Sequence, residues 1–76
     1  MTWLPLESKM LTSVAYDAHE QILYLRFRKI GDVYRYFGFP FTEYQAFLDA
    51  ESRGRFFLAH IRHRCRFERL AKLHAA

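Results

Sequence analysis

Seventy-six residues make one small domain, and a chain this short buries only roughly 60% of its surface on folding, so its core is thin. Apolar residues are 51% of the chain and aromatics 18%, a share of large rings that fills a small core efficiently and argues against disorder. Twelve Lys and Arg against eight Asp and Glu leave a net +4, and the longest uncharged stretches (Met10 to Tyr16, Tyr36 to Thr42) have seven residues, too few to span a bilayer. A single cysteine excludes an internal disulfide framework and fits a reducing, cytoplasmic compartment. Met1 to Leu6 lacks a basic start and its apolar run stops at Glu7, so no secretory leader is expected.

Residues 1–6 read as a lead-in, with Pro5 disfavouring helix and Trp3, Leu4 and Leu6 available to cap a sheet edge or to join a second copy. Met10 to Tyr16 places Thr12, Val14 and Tyr16 at alternate positions and suits a first strand. Asp17 to Glu20 is a polar turn. Ile22 to Arg28 alternates: Leu23, Leu25 and Phe27 point one way, Tyr24, Arg26 and Arg28 the other. Gly31-Asp32 signals a turn, and Val33 to Phe37 is a third strand ended by Gly38 and Pro40. Thr42 is a suitable helix N-cap, with Glu43 complementing the dipole and Tyr44, Phe47 and Leu48 forming one apolar stripe to about Ala50. Arg55 to Ile61 reads as a second short helix, after a break in which Gly54 reverses the chain or opens an anion site. From Arg62 to Phe67 the pattern fits either an extended segment, with Arg62, Arg64 and Arg66 on one side, or a helix grouping Arg62, Arg66 and Arg69; each gives a basic ridge. Residues 71–76 read as a tail. The expected fold is α+β: a three-stranded antiparallel sheet followed by two short helices packed on one face.

In this order the stretches Ser13 to Asp17, Leu23 to Phe27, Tyr34-Arg35-Tyr36, Pro40, Ala50 to Phe57 and Ile61-Arg62 resemble the KTSC domain, over residues 7–70. That family is named for the C-terminal region of some lysyl-tRNA synthetases and also occurs as free-standing small bacterial proteins. Its hallmark is the Tyr-x-Tyr pair, here Tyr34 and Tyr36. The resemblance implies no established activity; RNA binding is the role suggested for the family.

The charge is unevenly placed. Residues 1–50 carry five basic and six acidic side chains, whereas residues 51–76 carry seven basic and two acidic ones. Nine of the twelve cations are Arg, which favours planar contact with phosphate or carboxylate. This charge favours a polyanion, and the role that the resemblance implies makes RNA the expected partner of a non-catalytic binding module, contacted through Arg53, Arg55, Arg62, Arg64, Arg66 and Arg69. Tyr34 and Tyr36 share a side of their strand and serve either as a stacking platform or as core; if they face inward, Arg35 faces solvent with Arg26 and Arg28. The alternative is a protein-interaction or self-associating domain.

No enzyme activity is expected. Cys65 with His60 or His63 is a local pair without a third orienting group, and a domain this small is expected to enclose no pocket of useful volume. No cofactor is implied. His60, His63, Cys65 and His74 match no familiar zinc spacing, and the neighbouring arginines repel a cation, so no metal is expected.

Overall fold

A computed structural model describes residues 1–70. The order is β1 (Leu4–Pro5), β2 (Leu11–Asp17), β3 (Ile22–Phe27), β4 (Val33–Tyr36), α1 (Phe41–Asp49), α2 (Arg53–Phe56), a π-helical turn (Phe57–Ile61) and β5 (Phe67–Leu70). The five strands form one antiparallel meander in sequence order, with the helical segment inserted between β4 and β5. The expected three-stranded sheet is thus its centre, extended by β1 beside β2 and by β5 beside β4. The expected 71–76 tail, with His74, lies outside the described residues.

Local chemistry accounts for the central turns. Asp17 Oδ1 accepts from the backbone N–H groups of His19 (3.0 Å) and Glu20 (3.1 Å), closing the β2–β3 turn. Gly31 takes φ +71° in the β3–β4 turn, a conformation that costs a side chain but not glycine. Register then puts Val14, Leu25 and Tyr34 in one cross-strand row, and Tyr16, Leu23 and Tyr36 in the next. An irregularity between Leu11 and Ser13 displaces Thr12 from the expected alternation.

Helix α1 starts earlier than Thr42. Pro40 is its N-cap, and the Pro40 carbonyl accepts from Glu43 (3.0 Å) and Tyr44 (3.1 Å). Ser52, whose hydroxyl accepts from the Arg55 N–H at 3.2 Å, caps α2, so the second helix begins at Arg53 and not Arg55. Gly54 is neither a left-handed terminator nor an open anion site. It is buried inside α2, and a Cβ there would sit 3.5 Å from Met10 Cβ, so glycine lets the helix approach the Ser8–Met10 loop. Beyond α2 the turn widens, Arg62 N–H bonding the Phe57 carbonyl at 2.9 Å.

The helices cover one face of the sheet. Between them lie Leu11, Val14, Leu23, Leu25, Tyr36, Phe39, Phe47, Phe57 and Ile61. The other face carries side-chain layers instead: Trp3 meets Tyr24 edge-on at 6.4 Å, Arg26 lies over Trp3, and Ala15 and Val33 are buried among them. Because Leu25 is fully buried at the sheet centre, Leu25→Ala lowers the unfolding free energy by about 2–5 kcal/mol. Glu68→Gln, at an exposed ion pair, lowers it by less than about 1 kcal/mol. Denaturant melts check both; equal losses would contradict this division between core and surface.

Candidate nucleic-acid interface

Strand alternation separates the Tyr-x-Tyr pair from the arginine between them. Tyr34 and Tyr36 face the helices, Tyr34 half-buried and Tyr36 buried, with rings near-parallel at 6.5 Å. Phe27 meets Tyr34 edge-on at 5.3 Å, and Phe57 closes on both Phe27 (5.3 Å) and Tyr36 (5.6 Å). From the far side β5 delivers Phe67, 5.9 Å from each tyrosine. These rings form the floor and walls of an open groove of about 500 Å³, the kind of concavity a chain of this size was expected to lack. Its lips are Met10, Ile30 and Leu58, and Arg62 and His63 stand at its mouth. Phe67 (54% exposed), Ile30 (49%) and Leu58 (43%) leave much of this apolar surface in water.

Further cations line two hollows that adjoin the groove. A neighbouring hollow shares Met10, Phe27 and Ile30 with it and adds Lys9 and Lys29. A second shares Met10 and Leu58 and adds Arg53 and Arg55, together with Glu7 and Glu51. The groove and its two adjoining hollows together draw cations from the β1–β2 loop, the β3–β4 turn, α2 and the segment after Ile61. Sequence reading pointed to Arg55 and Arg62 but missed Lys9, Lys29, Phe27, Ile30, Leu58 and Phe67 as neighbours. The inward alternation of Phe27 was a usable signal; nothing in the sequence placed Ile30 or Lys29 beside the tyrosines.

The other arginines divide between structure and surface. Arg53 reaches the Leu48 carbonyl and ties α2 to the end of α1. Arg69 donates to the buried Asp32 carboxylate at 2.7 Å, on the helix side beside Tyr34. Arg35 donates to Glu68 on the opposite face (2.8 Å), and interaction with the neighbouring Tyr24 and with Glu68 raises its pKa. Arg66 lies on that opposite face too, 4.9 Å over the Phe37 ring that Arg35 covers at 5.4 Å. Arg28 is exposed, as expected, and also donates to the carbonyls of Ser8 (2.9 Å), Leu11 (3.3 Å) and Leu6 (3.4 Å), stapling that loop. Arg26 bonds the Gly31 carbonyl at 3.2 Å. Arg55, Arg62 and Arg64 are exposed, with no side-chain partner among the described residues.

Titration behaviour follows burial. Burial first, then Tyr34 and Cys65, push the Tyr36 hydroxyl above the ordinary tyrosine range, while Arg62 pulls it partly back. It stays a protonated donor at the groove floor. Burial and Glu43 likewise raise the Cys65 thiol, which disfavours a reactive thiolate. Among the described residues no three His, Cys, Asp or Glu side chains cluster closely enough to hold a metal ion, and no helix is long and apolar enough to cross a membrane.

Tyr36 yields a pH prediction. The native state keeps a proton that the unfolded chain releases near pH 10, so stability is unaffected by this group below pH 10 and falls above it, by at most about 1.4 kcal/mol per pH unit. Tyr16, Tyr44 and Cys65, also raised, act with the same sign. In urea melts at pH 9 and pH 11, Tyr36→Phe loses less stability between the two than the parent; an identical loss would contradict the assignment.

Residues 7–67 match the family model of the KTSC domain. An uncharacterized protein of Stutzerimonas stutzeri is 42% identical over 57 residues, covering 75% of this chain and 79% of that one. A protein of Tsukamurella paurometabola is 44% identical over 52 residues, covering 68% of this chain and 76% of that one. Among solved structures, the crystal structure of a KTSC domain protein from Yersinia pestis superposes with a TM-score of 0.87 at 31% identity, covering 92% of this chain and 97% of its own. Sequence and fold agree, and the chain belongs to the KTSC domain family.

Proposed function

We propose that this domain is a non-catalytic RNA-binding module that contacts phosphates through the cations around the groove. The observation that carries the reading is that Arg62 lines the aromatic-walled depression while Arg55, Lys9 and Lys29 line the two hollows that adjoin it. Guanidinium and ammonium groups without carboxylate partners suit phosphate contact, and aromatic faces beside them suit bases. Arg64 adds to this set. Arg53, Arg69 and Arg35 contribute less than the sequence suggests, because each is committed to a carbonyl or carboxylate of the fold.

A second reading, self-association, is favoured by the exposed apolar trio Ile30, Leu58 and Phe67. Size measurement against concentration separates the two, since a groove buried in a tight dimer is closed to RNA.

Fluorescence anisotropy with a labelled, mixed-sequence single-stranded RNA tests the main reading. With five phosphate contacts, from Arg55, Arg62, Arg64, Lys9 and Lys29, log K falls against log salt with a slope of about −3.5, and Arg62→Gln with Arg64→Gln reduces that slope to about −2. Absence of binding at low salt, or binding indifferent to salt, would overturn the proposal.

A further inference from the structure

Two surfaces of the domain interleave aromatic rings with cations, and they differ in what the rings already do. On the face away from the helices the rings are engaged by the protein's own guanidinium groups: Arg26 over Trp3, and both Arg35 and Arg66 over Phe37. In the groove no such contact is made among the described residues. Tyr34 and Tyr36 lie near-parallel, the other ring pairs meet at edges and tilts, and Phe67 is left 54% exposed.

We propose that the groove receives a single unpaired base of RNA, so that the domain selects single strands over duplex. This rests on the RNA reading above and deepens it. The depression is bounded by β3, β4, β5, the β3–β4 turn, the loop before β2 and the π-helical turn, and its volume of about 500 Å³ lies in the range of small-ligand sites, enough for one nucleoside. Bases stacked and paired within a duplex present no free face to such a slot, whereas a splayed base does. Tyr34 and Phe67 offer π-faces to it. Tyr36 and Arg62 line it as well, and in this reading the Tyr36 hydroxyl donates to the base and Arg62 contacts the attached phosphate. An apolar peptide would use the same walls, but Arg62 in the groove, with Lys9, Lys29 and Arg55 in the adjoining hollows, favours an anionic backbone.

The test compares three probes at one salt concentration: a labelled single-stranded RNA, the same strand annealed to its complement, and a ribose-phosphate oligomer of equal length without bases. The native protein binds the single strand about ten-fold more tightly than the other two. Phe67→Ser, at an exposed position, and Tyr34→Ala each bring the single strand down to the duplex level while leaving duplex affinity and the salt slope unchanged. A single strand carrying 2-aminopurine shows fluorescence quenching on binding that Phe67→Ser abolishes. Equal affinity for all three probes, or unchanged single-strand affinity in folded Phe67→Ser, overturns the base site while leaving the phosphate reading intact. No binding of any probe at low salt overturns both. A concentration-dependent dimer dispersed by Phe67→Ser assigns the groove to a second copy and also overturns the base site.

Discussion

The pairing of β5 with β4 decides what this small fold can present. Tyr36 lies opposite Phe67 and Tyr34 opposite Arg69, so the last strand returns the Arg-rich third of the chain to the Tyr-x-Tyr pair. The pairing is held on both faces and at its entry. Arg69 meets buried Asp32 on the helix side, Arg35 meets Glu68 on the other, and the Phe37 N–H bonds the Arg66 carbonyl at 2.9 Å. Without it Phe67 would leave the tyrosines, the groove would lose one wall, and Arg62 and His63 would no longer cross its mouth. Charged residues on β5 also blunt the outer edge of the sheet against unwanted strand pairing.

A second constraint is how the arginines are spent. A count of basic residues treats each as surface charge. The structure uses Arg28 to staple the loop before β2, Arg53 to link two helices and Arg69 to neutralise a buried carboxylate. Those roles exploit the planar, multi-donor guanidinium, which satisfies several carbonyls at once. The remaining exposed arginines are fewer, but Arg62 in the groove and Arg55 in an adjoining hollow are joined there by lysines from the first half of the chain. The positive character of the site is therefore a product of folding, not of the C-terminal composition alone.

Much of the centre was legible beforehand. Alternation fixed β2, β3 and β4 to within a residue or so, because each buries one face and a slip would turn its leucines and tyrosines to solvent. The inward reading of the tyrosines follows from the same pattern once Leu23 and Leu25 lie opposite them. The edge strands were not legible. β1 is two residues long and contains a proline; β5 is Phe-Glu-Arg-Leu, with no apolar alternation, and is a strand because β4 offers it a partner. Thr42 lost its capping role because the Pro40 carbonyl already begins the ladder two residues earlier. The groove was invisible for a simpler reason: its walls come from three strands, a turn, a loop and a helical segment, and no local pattern records that meeting.

Amide chemical-shift mapping of labelled protein, titrated with a short single-stranded RNA, tests the central claim most directly. The account predicts the largest changes at Phe27, Tyr34, Leu58, Arg62, His63 and Phe67, with Trp3, Tyr24 and Arg26 on the opposite face little affected. Changes centred on that opposite face, or spread evenly over the molecule, would contradict it.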